Sequence, residues 1–303
     1  MRPSTRSAGD EICNAFTVDV EDYFQVSAFE GQVRRDDWHQ YACRVVQNTR
    51  RILRLLERHQ TRATFFVLGW IAERYPDLVR EIHRSGHEIG SHGYWHRLVY
   101  EQTPEGFRRD VRQSREILEG VIGQRVALYR APSFSITGKS LWALEILVEE
   151  GFRIDCSIFP VRHDRYGMPQ AETSIHQIAT AAGPLWEFPP AVVRLAGLKL
   201  PVAGGGYFRL FPLAFTLGAL ARINRRLRQP FLFYVHPWEL DPRQPRIANV
   251  SRISRARHYV NLASTEKKLE VLLSRFRFAQ VSEAVHRTVP EGAFPAEVSK
   301  ASL

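Results

Sequence analysis

Two histidines four residues apart, in the run Ser91-His-Gly-Tyr-Trp-His96, supply a pair of imidazoles, and Asp19-Val-Glu-Asp22 upstream supplies three carboxylates. Two imidazoles and one carboxylate hold a divalent metal with coordination positions left open, the arrangement of hydrolytic rather than structural zinc sites. Arg130, Asp155 and His236 add ionisable groups farther along the chain. Singly, each has an ordinary explanation: an Asp at a strand end caps a turn, and a lone histidine packs or faces solvent. Their positions relative to the secondary structure decide between these explanations.

Residues 16–20 form a short apolar strand ending in the acids, and residues 63–69 a second, β-branched and aromatic, closed by Gly69. Between them, residues 45–58 space their aliphatic side chains as a helix does. A helix over 76–84 stops at Gly86, and a strand over 87–90 runs into the histidine pair. Helix, strand, helix and strand then follow at 105–120, 127–130, 140–151 and 153–158. This alternation predicts an α/β fold with a parallel sheet under covering helices, open or closed into a barrel, with the site at the carboxyl ends of the strands. On that frame Asp19, Glu21 and Asp22 end the first strand, and His92 and His96 follow the third. Arg130 follows the fourth, Asp155 sits in the fifth, and His236 ends a late strand over 231–235. Ionisable groups from five separated segments therefore converge on one rim.

Residues 160–210 are rich in Pro and Gly and fit no regular βα unit. Helices are expected at 211–227 and 264–275, with an irregular basic stretch at 237–260 between them. Gly204-Gly-Gly206 lacks the Lys-Ser/Thr of a phosphate loop and reads as a tight turn near the cleft.

A chain of 303 residues has room for one large or two medium domains. Its 44% apolar and 24% charged residues place it with soluble globular proteins, and no apolar run reaches the ~20 residues of a membrane span. Residues 1–10 carry two arginines with no apolar segment behind them, so the expectation is a cytoplasmic protein. Cys13, Cys43 and Cys156, odd in number and widely spaced, predict buried free thiols rather than disulfides or a cysteine zinc site. A net charge of +10 favours an anionic partner and, as a hypothesis, peripheral contact with an anionic inner membrane. Nucleic acid is not expected: no zinc-finger spacing or aromatic RNA-binding signature is present, and the densest basic run, Arg222 to Arg228, reads as a solvated helix face.

Five segments, in order, carry a family resemblance: Thr17-Val-Asp-Val-Glu-Asp-Tyr-Phe24, Ser91-His-Gly-Tyr-Trp-His96, Tyr129-Arg-Ala-Pro-Ser-Phe-Ser135, Asp155-Cys-Ser-Ile-Phe-Pro160 and Phe233-Tyr-Val-His-Pro-Trp-Glu239. In them the chain resembles the polysaccharide deacetylases, the NodB-like carbohydrate esterases, and within these the branch associated with exosortase and exopolysaccharide clusters. The resemblance implies a distorted (β/α) barrel of fewer than eight strands with irregular C-terminal additions. Its first part and metal site would span 13–160, its second part and a family-specific insertion 161–285, with tails at 1–12 and 286–303. It further implies a divalent metal, Zn2+ first among candidates, and removal of N-acetyl groups from the amino sugars of a polysaccharide or lipid-linked oligosaccharide.

Carried onto this sequence, the resemblance makes His92 and His96 metal ligands and His236 the general acid. Asp155 would hold His236, and Arg130 would orient the base through a bidentate pair. The first motif departs from the family's adjacent Asp-Asp by an extra acid. Either Asp19 is the base and Asp22 or Glu21 the metal carboxylate, or Glu21 is the base; the expectation taken forward is Asp19 as base and Asp22 as ligand. Trp95, Trp238 and Tyr94 are the expected sugar contacts. Competing readings are a non-haem iron oxygenase, a hydrolase of small cyclic amides or ureides, and a non-catalytic glycan-binding protein.

Overall fold

The computed structural model describes residues 12–195 and 197–290. Of the expected tails at 1–12 and 286–303, residues 1–11 and 291–303 lie outside the described residues. β1 (Asn14–Val20) shows how the sequence builds the fold. Its side chains alternate, so Phe16, Val18 and Val20 join the large apolar cluster beneath the helices while Ala15 joins a second cluster inside the sheet's curve. Thr17 and Asp19 share the inner face with Ala15, higher up the strand.

β2 (Thr64–Val67), β3 (Glu88–Ser91), β4 (Leu128–Tyr129) and β5 (Ile154–Asp155) follow β1 in order, each parallel to the last. β6 (His176–Thr180) and β7 (Gly183–Glu187) form a hairpin whose second strand pairs in parallel with β5. β8 (Val192–Leu195) and β9 (Leu198–Pro201) make a separate antiparallel ribbon. β10 (Leu232–Val235) lies parallel to β1 on its other side, and the short β11 (Phe278–Ala279) pairs with the start of β1. The sheet order is β10-β1-β2-β3-β4-β5-β7-β6. A bridge between Pro190 and Leu232, together with Tyr234 N–H donating to Ala203 O at 2.7 Å, brings the chain after β7 back to β10. Among the described residues the result is a distorted barrel of seven parallel strands, closed by irregular backbone.

α1 (Val45–Arg58), α2 (Gly69–Arg74), α3 (Pro76–Arg84), α4 (Pro104–Ile122) and α5 (Trp142–Glu149) cover the outer face. α1 buries Ile52, Leu55 and Leu56 and turns most of its arginines outward, each such side chain contributing about 1.5–3 kcal/mol. α4 starts where the Thr103 hydroxyl accepts Gly106 N–H with Pro104 behind it, and ends at Gly123 in the left-handed region. α6 (Gly205–Leu210), α7 (Leu213–Arg222), α8 (Arg252–Tyr259) and α9 (Leu262–Arg275) belong to the second half. α10 (Val281–His286) inserts Val281, Ala284 and Val285 against Ala15, Phe66, Leu128, Ile154, Phe188 and Leu232 inside the barrel. The barrel floor is thus apolar, and the polar inner residues Thr17, Asp19 and Arg130 stand above it.

The second half is more regular than the sequence implies. β7 is a barrel strand although Gly183 and Pro184 open it, because pairing with β5 and β6 outweighs two poor strand formers. α6 opens on the glycine run read as a turn, and α8 forms within the stretch read as irregular. Arg222, Arg225, Arg226 and Arg228 are exposed, as a solvated face requires. The cysteines form no disulfide among the described residues, Cys13 and Cys156 being buried and Cys43 half-buried. No helix among the described residues is long and apolar enough to cross a membrane.

Gly90 on β3 has no room for a side chain: an added Cβ would stand 2.6 Å from Phe66 Cδ1 and 3.3 Å from Leu128 Cβ. Gly90→Ala is expected to destabilise the fold by about 1–3 kcal/mol through overpacking of the barrel interior, read as a lower urea midpoint at unchanged slope.

Candidate active site

At the carboxyl end of β1 the chain turns sharply, Glu21 N–H donating to Asp19 O at 3.0 Å. Asp19 and Glu21 both point into the barrel mouth, each about 2% exposed. Arg130, fully buried at the end of β4, donates from Nη1 to Asp19 Oδ1 at 2.6 Å and to Thr17 Oγ1 at 2.8 Å. Its Nε goes to Cys156 O at 3.3 Å and Nη2 has no partner, so the contact with Asp19 is single rather than the bidentate fork expected.

The histidine loop is held from two sides, by α2 and by α4. Gly69 and Trp70, the first N–H groups of α2, donate to Gly93 O and Tyr94 O at 2.9 and 3.3 Å. Asp110 on α4 accepts from Tyr94 N–H at 2.8 Å and Trp95 N–H at 3.2 Å. Gly93, at φ +74, leaves the space that the Asp110 carboxylate occupies, where a Cβ would stand 2.8 Å from Oδ2. His96 then takes φ +53, an unusual conformation for a non-glycine residue that the surrounding bonds impose. In the sequence Asp110 is one more acid of a charged amphipathic helix, with no motif residue beside it.

These constraints bring Glu21, His92 and His96 together, with one ligand atom from each within 4.8 Å of the others. His92 Nδ1 lies 2.8 Å from Arg130 O; a carbonyl only accepts, so Nδ1 carries the proton and Nε2 is left for a metal. Glu21 Oε2 lies 2.6 Å from His96 Nε2, yet it is buried with no partner of hydrogen-bonding geometry. Tetrahedral zinc with bonds of ~2.0–2.2 Å separates its donors by roughly 3.3–3.6 Å, which small side-chain adjustments reach here. The donor set and the orphaned oxygen fit a divalent cation. Burial opposes ionisation of Glu21, but His96, His236 and His92 outweigh it and hold its carboxyl well below the usual range. Burial pushes His92 down to about 4, leaving the neutral ring that ligates metals.

His236, just past β10, faces both carboxylates: Nε2 is 3.6 Å from Glu21 Oε1 and 3.8 Å from Asp19 Oδ2. Glu239 Oε1 accepts from His236 Nδ1 at 2.7 Å and from its backbone N–H at 3.0 Å. Arg209 Nε donates to Glu239 Oε2 at 2.6 Å. Burial alone lowers the His236 pKa, but Glu21, Glu239 and Asp19 reverse that and raise it to about 9.

Several expected roles change. Asp22 does not join the histidines: Oδ1 accepts from Tyr23 N–H and Oδ2 from Arg44 and Val45 N–H at 2.6 and 2.8 Å, capping α1. Glu21 stands where Asp22 was expected. Asp155 does not hold His236, because strand alternation puts Ile154 and Cys156 in the barrel and turns Asp155 to the other face. There it accepts from Ser157 Oγ and lies beside Glu187, its register partner on β7. Trp238 is no sugar platform. It is 5% exposed, stacked between His236 and His258, and donates from Nε1 to Glu21 Oε1 at 3.0 Å. Tyr94 is likewise buried, its hydroxyl on Glu73. Trp95 alone of the three is half-buried, tilted against Trp38 at 5.9 Å.

Residues 36–148 match the polysaccharide deacetylase family model, and residues 156–286 match a domain of unknown function, DUF3473. Over 36–148 the chain carries a polysaccharide deacetylase domain. It is similar to a peptidoglycan-N-acetylglucosamine deacetylase of Bacillus cereus, at 36% identity over 98 residues, 32% of this chain and 36% of that protein. The chain thus matches about a third of that relative's length. Its fold is that of a putative polysaccharide deacetylase from Mycobacterium smegmatis, with a TM-score of 0.62 at 19% identity over 94% of this chain and 93% of that one. The Puue allantoinase shares the fold equally, at a TM-score of 0.62 and 14% identity over 95% and 93% of the two chains.

Two measurements check these placements. Glu21→Gln is expected to strip bound divalent metal, whereas Asp22→Ala keeps it and lowers stability by about 1–2 kcal/mol through loss of the α1 cap, read by metal analysis and thermal melts. Burial, joined by the neighbouring carboxyl, raises Glu187 well above its ordinary value, and burial raises Asp155 to about 6. The folded state therefore holds these protons more tightly than the unfolded chain; the contribution of Asp155 to stability is lost as pH rises from about 4 through 6, and that of Glu187 as pH rises further. Glu187→Gln is expected to match the native chain in stability near pH 4 and to exceed it near pH 8, by denaturant titration at each pH.

Proposed function

We propose that this chain is a metal-dependent hydrolase that removes N-acetyl groups from the amino sugars of a bacterial exopolysaccharide. The observation that carries this reading is the convergence of Glu21, His92 and His96 with an Arg130-held Asp19 and a Glu239-held His236 on one barrel rim. A divalent metal, most readily Zn2+, would be held by Glu21, His92 and His96, and when bound it supplies Lewis acidity toward the acetyl carbonyl and a lowered water pKa.

The remaining chemistry belongs to the side chains. Asp19, fixed by Arg130, takes the proton of the attacking water. His236, with Nδ1 committed to Glu239, presents Nε2 to the cleft as the proton donor. Its raised pKa keeps it charged at neutral pH, the form an acid needs. As the C–N bond breaks, that proton passes to the departing amine, leaving acetate and a free amino sugar. Glu21 is steered by Trp238 Nε1 and kept ionised by its histidine neighbours. Trp95 at the mouth offers an aromatic face to a sugar ring.

The C-terminal extension supports assignment to exopolysaccharide, free or lipid-linked, and the basic surface suits contact with an anionic membrane while the polymer is handled. A glycan-binding protein without activity has no physical need for both a held base and a held acid beside a metal site.

The test is acetate release from N-acetylglucosamine oligomers, with protein zinc-loaded, chelated and re-supplied. Release that disappears on chelation and returns with zinc is expected. Asp19→Asn and His236→Gln should each keep the metal and lower kcat by about 10²- to 10⁴-fold. Hydrolysis of cyclic ureides but of no acetylated sugar would instead place the chain with the amide hydrolases of this fold.

A further inference from the structure

We infer that the C-terminal extension is a working part of the catalytic site: Arg209, on α6, is a positioning residue that fixes His236 through Glu239. The inference rests on the reading of His236 as proton donor.

Arg209 and Glu239 are 2% and 1% exposed, so neither charge is solvated and each depends on the other. One Glu239 oxygen receives Arg209 Nε at 2.6 Å, while the other receives both the backbone N–H and Nδ1 of His236. Remove the guanidinium and the buried carboxylate keeps only the ring and backbone N–H of His236, both on one oxygen, and is free to rotate or to take up a proton. Either event releases the ring that Glu239 holds by its Nδ1.

The extension is shaped to deliver this guanidinium. α6 presses against β10 so closely that a Cβ on Gly204 would stand 1.9 Å from Tyr234 O, and one on Gly205 2.6 Å from Tyr234 Oη. Both glycines also have positive φ, +132 and +53. The glycine run, read from the sequence as a tight turn near the cleft, thus lets α6 approach the wall from which Glu239 descends. Beyond the contact, α6 is clamped: Lys268 Nζ donates to Phe208 O, Arg209 O and Phe211 O at 3.0, 3.2 and 3.0 Å, and Asn261 Nδ2 to Arg209 O at 3.0 Å. The remaining guanidinium donors reach His258 O, Val260 O and Arg257 O at 2.7, 2.9 and 3.1 Å, at the end of α8. Those last bonds admit a simpler role, a strap for α8, and the experiment must separate the two.

A double-mutant cycle on Arg209→Met and Glu239→Gln does so. If Arg209 acts through Glu239, each single variant loses about 10²-fold in kcat with KM and metal content near native, and the double variant is no slower than E239Q. The comparison of E239Q with the double variant does not need R209M to fold: the double leaves neither partner as an unpaired buried charge, and in E239Q the guanidinium keeps His258 O, Val260 O and Arg257 O as acceptors. A strap for α8 predicts the reverse: in the double variant the R209M loss multiplies that of E239Q, and this outcome overturns the inference. Proton NMR supplies a readout independent of substrate. The native chain should show a downfield, exchange-protected Nδ1 proton on His236 that R209M loses; its persistence in folded R209M also overturns the inference. Should the native chain release no acetate from any amino-sugar polymer, the deacetylase reading fails while the NMR result still decides the role of Arg209.

Discussion

Two carboxylates buried side by side at the mouth of an apolar barrel are the constraint on which the rest of this structure depends. Asp19 and Glu21 are almost fully removed from water, and an ionised carboxylate so placed costs several kcal/mol unless charge and hydrogen bonds compensate it. The compensation comes from every side of the rim. Arg130 rises from β4 to Asp19, His96 closes on Glu21 from its loop, and Trp238 and His236 approach from the end of β10. A cation shared among Glu21, His92 and His96 would complete that balance, beside Glu21 Oε2, which faces His96 Nε2 but accepts no hydrogen bond.

The less regular parts of the fold follow from this demand. The histidine loop carries two positive φ angles, and its backbone is tied to α2 and Asp110 instead of to a sheet. Strain of that kind persists where surrounding bonds over-determine the conformation, here for the sake of where His96 points. Behind His236 the pattern repeats at a second remove. Glu239 holds the ring, Arg209 holds Glu239, and Lys268 holds the helix that carries Arg209. The apolar floor, sealed by α10, confines all of this chemistry to the upper end.

Much of the first half was legible in the sequence because hydrophobic periodicity writes it plainly. α1 and α3 fall where the spacing put them, and β1 to β3 lie within a residue or two of the expected strands. The second half was not, since β7 owes its strand to neighbours on both sides rather than to Gly-Pro-Leu-Trp-Glu itself. Site residues divide the same way. Asp19 and Glu21 were both named as candidates; that Asp22 caps α1 instead depends on the turn at the end of β1 and on the Arg44 and Val45 N–H groups it meets, which spacing does not show. The exchange of Asp155 for Glu239 behind His236 depends on which face of β5 is inside, and that is set by packing. The pairing of Arg209 with Glu239 joins two elements by a close approach across glycines, which no spacing rule foresees.

Anomalous diffraction at the zinc edge, on crystals grown with zinc, tests the central claim most directly. The account predicts one dominant peak bounded by Glu21, His92 and His96 at bond lengths of about 2.0–2.2 Å, with Asp19 and His236 beside the open positions. A peak ligated by Asp22, a peak between Asp155 and Glu187, or zinc-saturated crystals with no peak at the rim would contradict it.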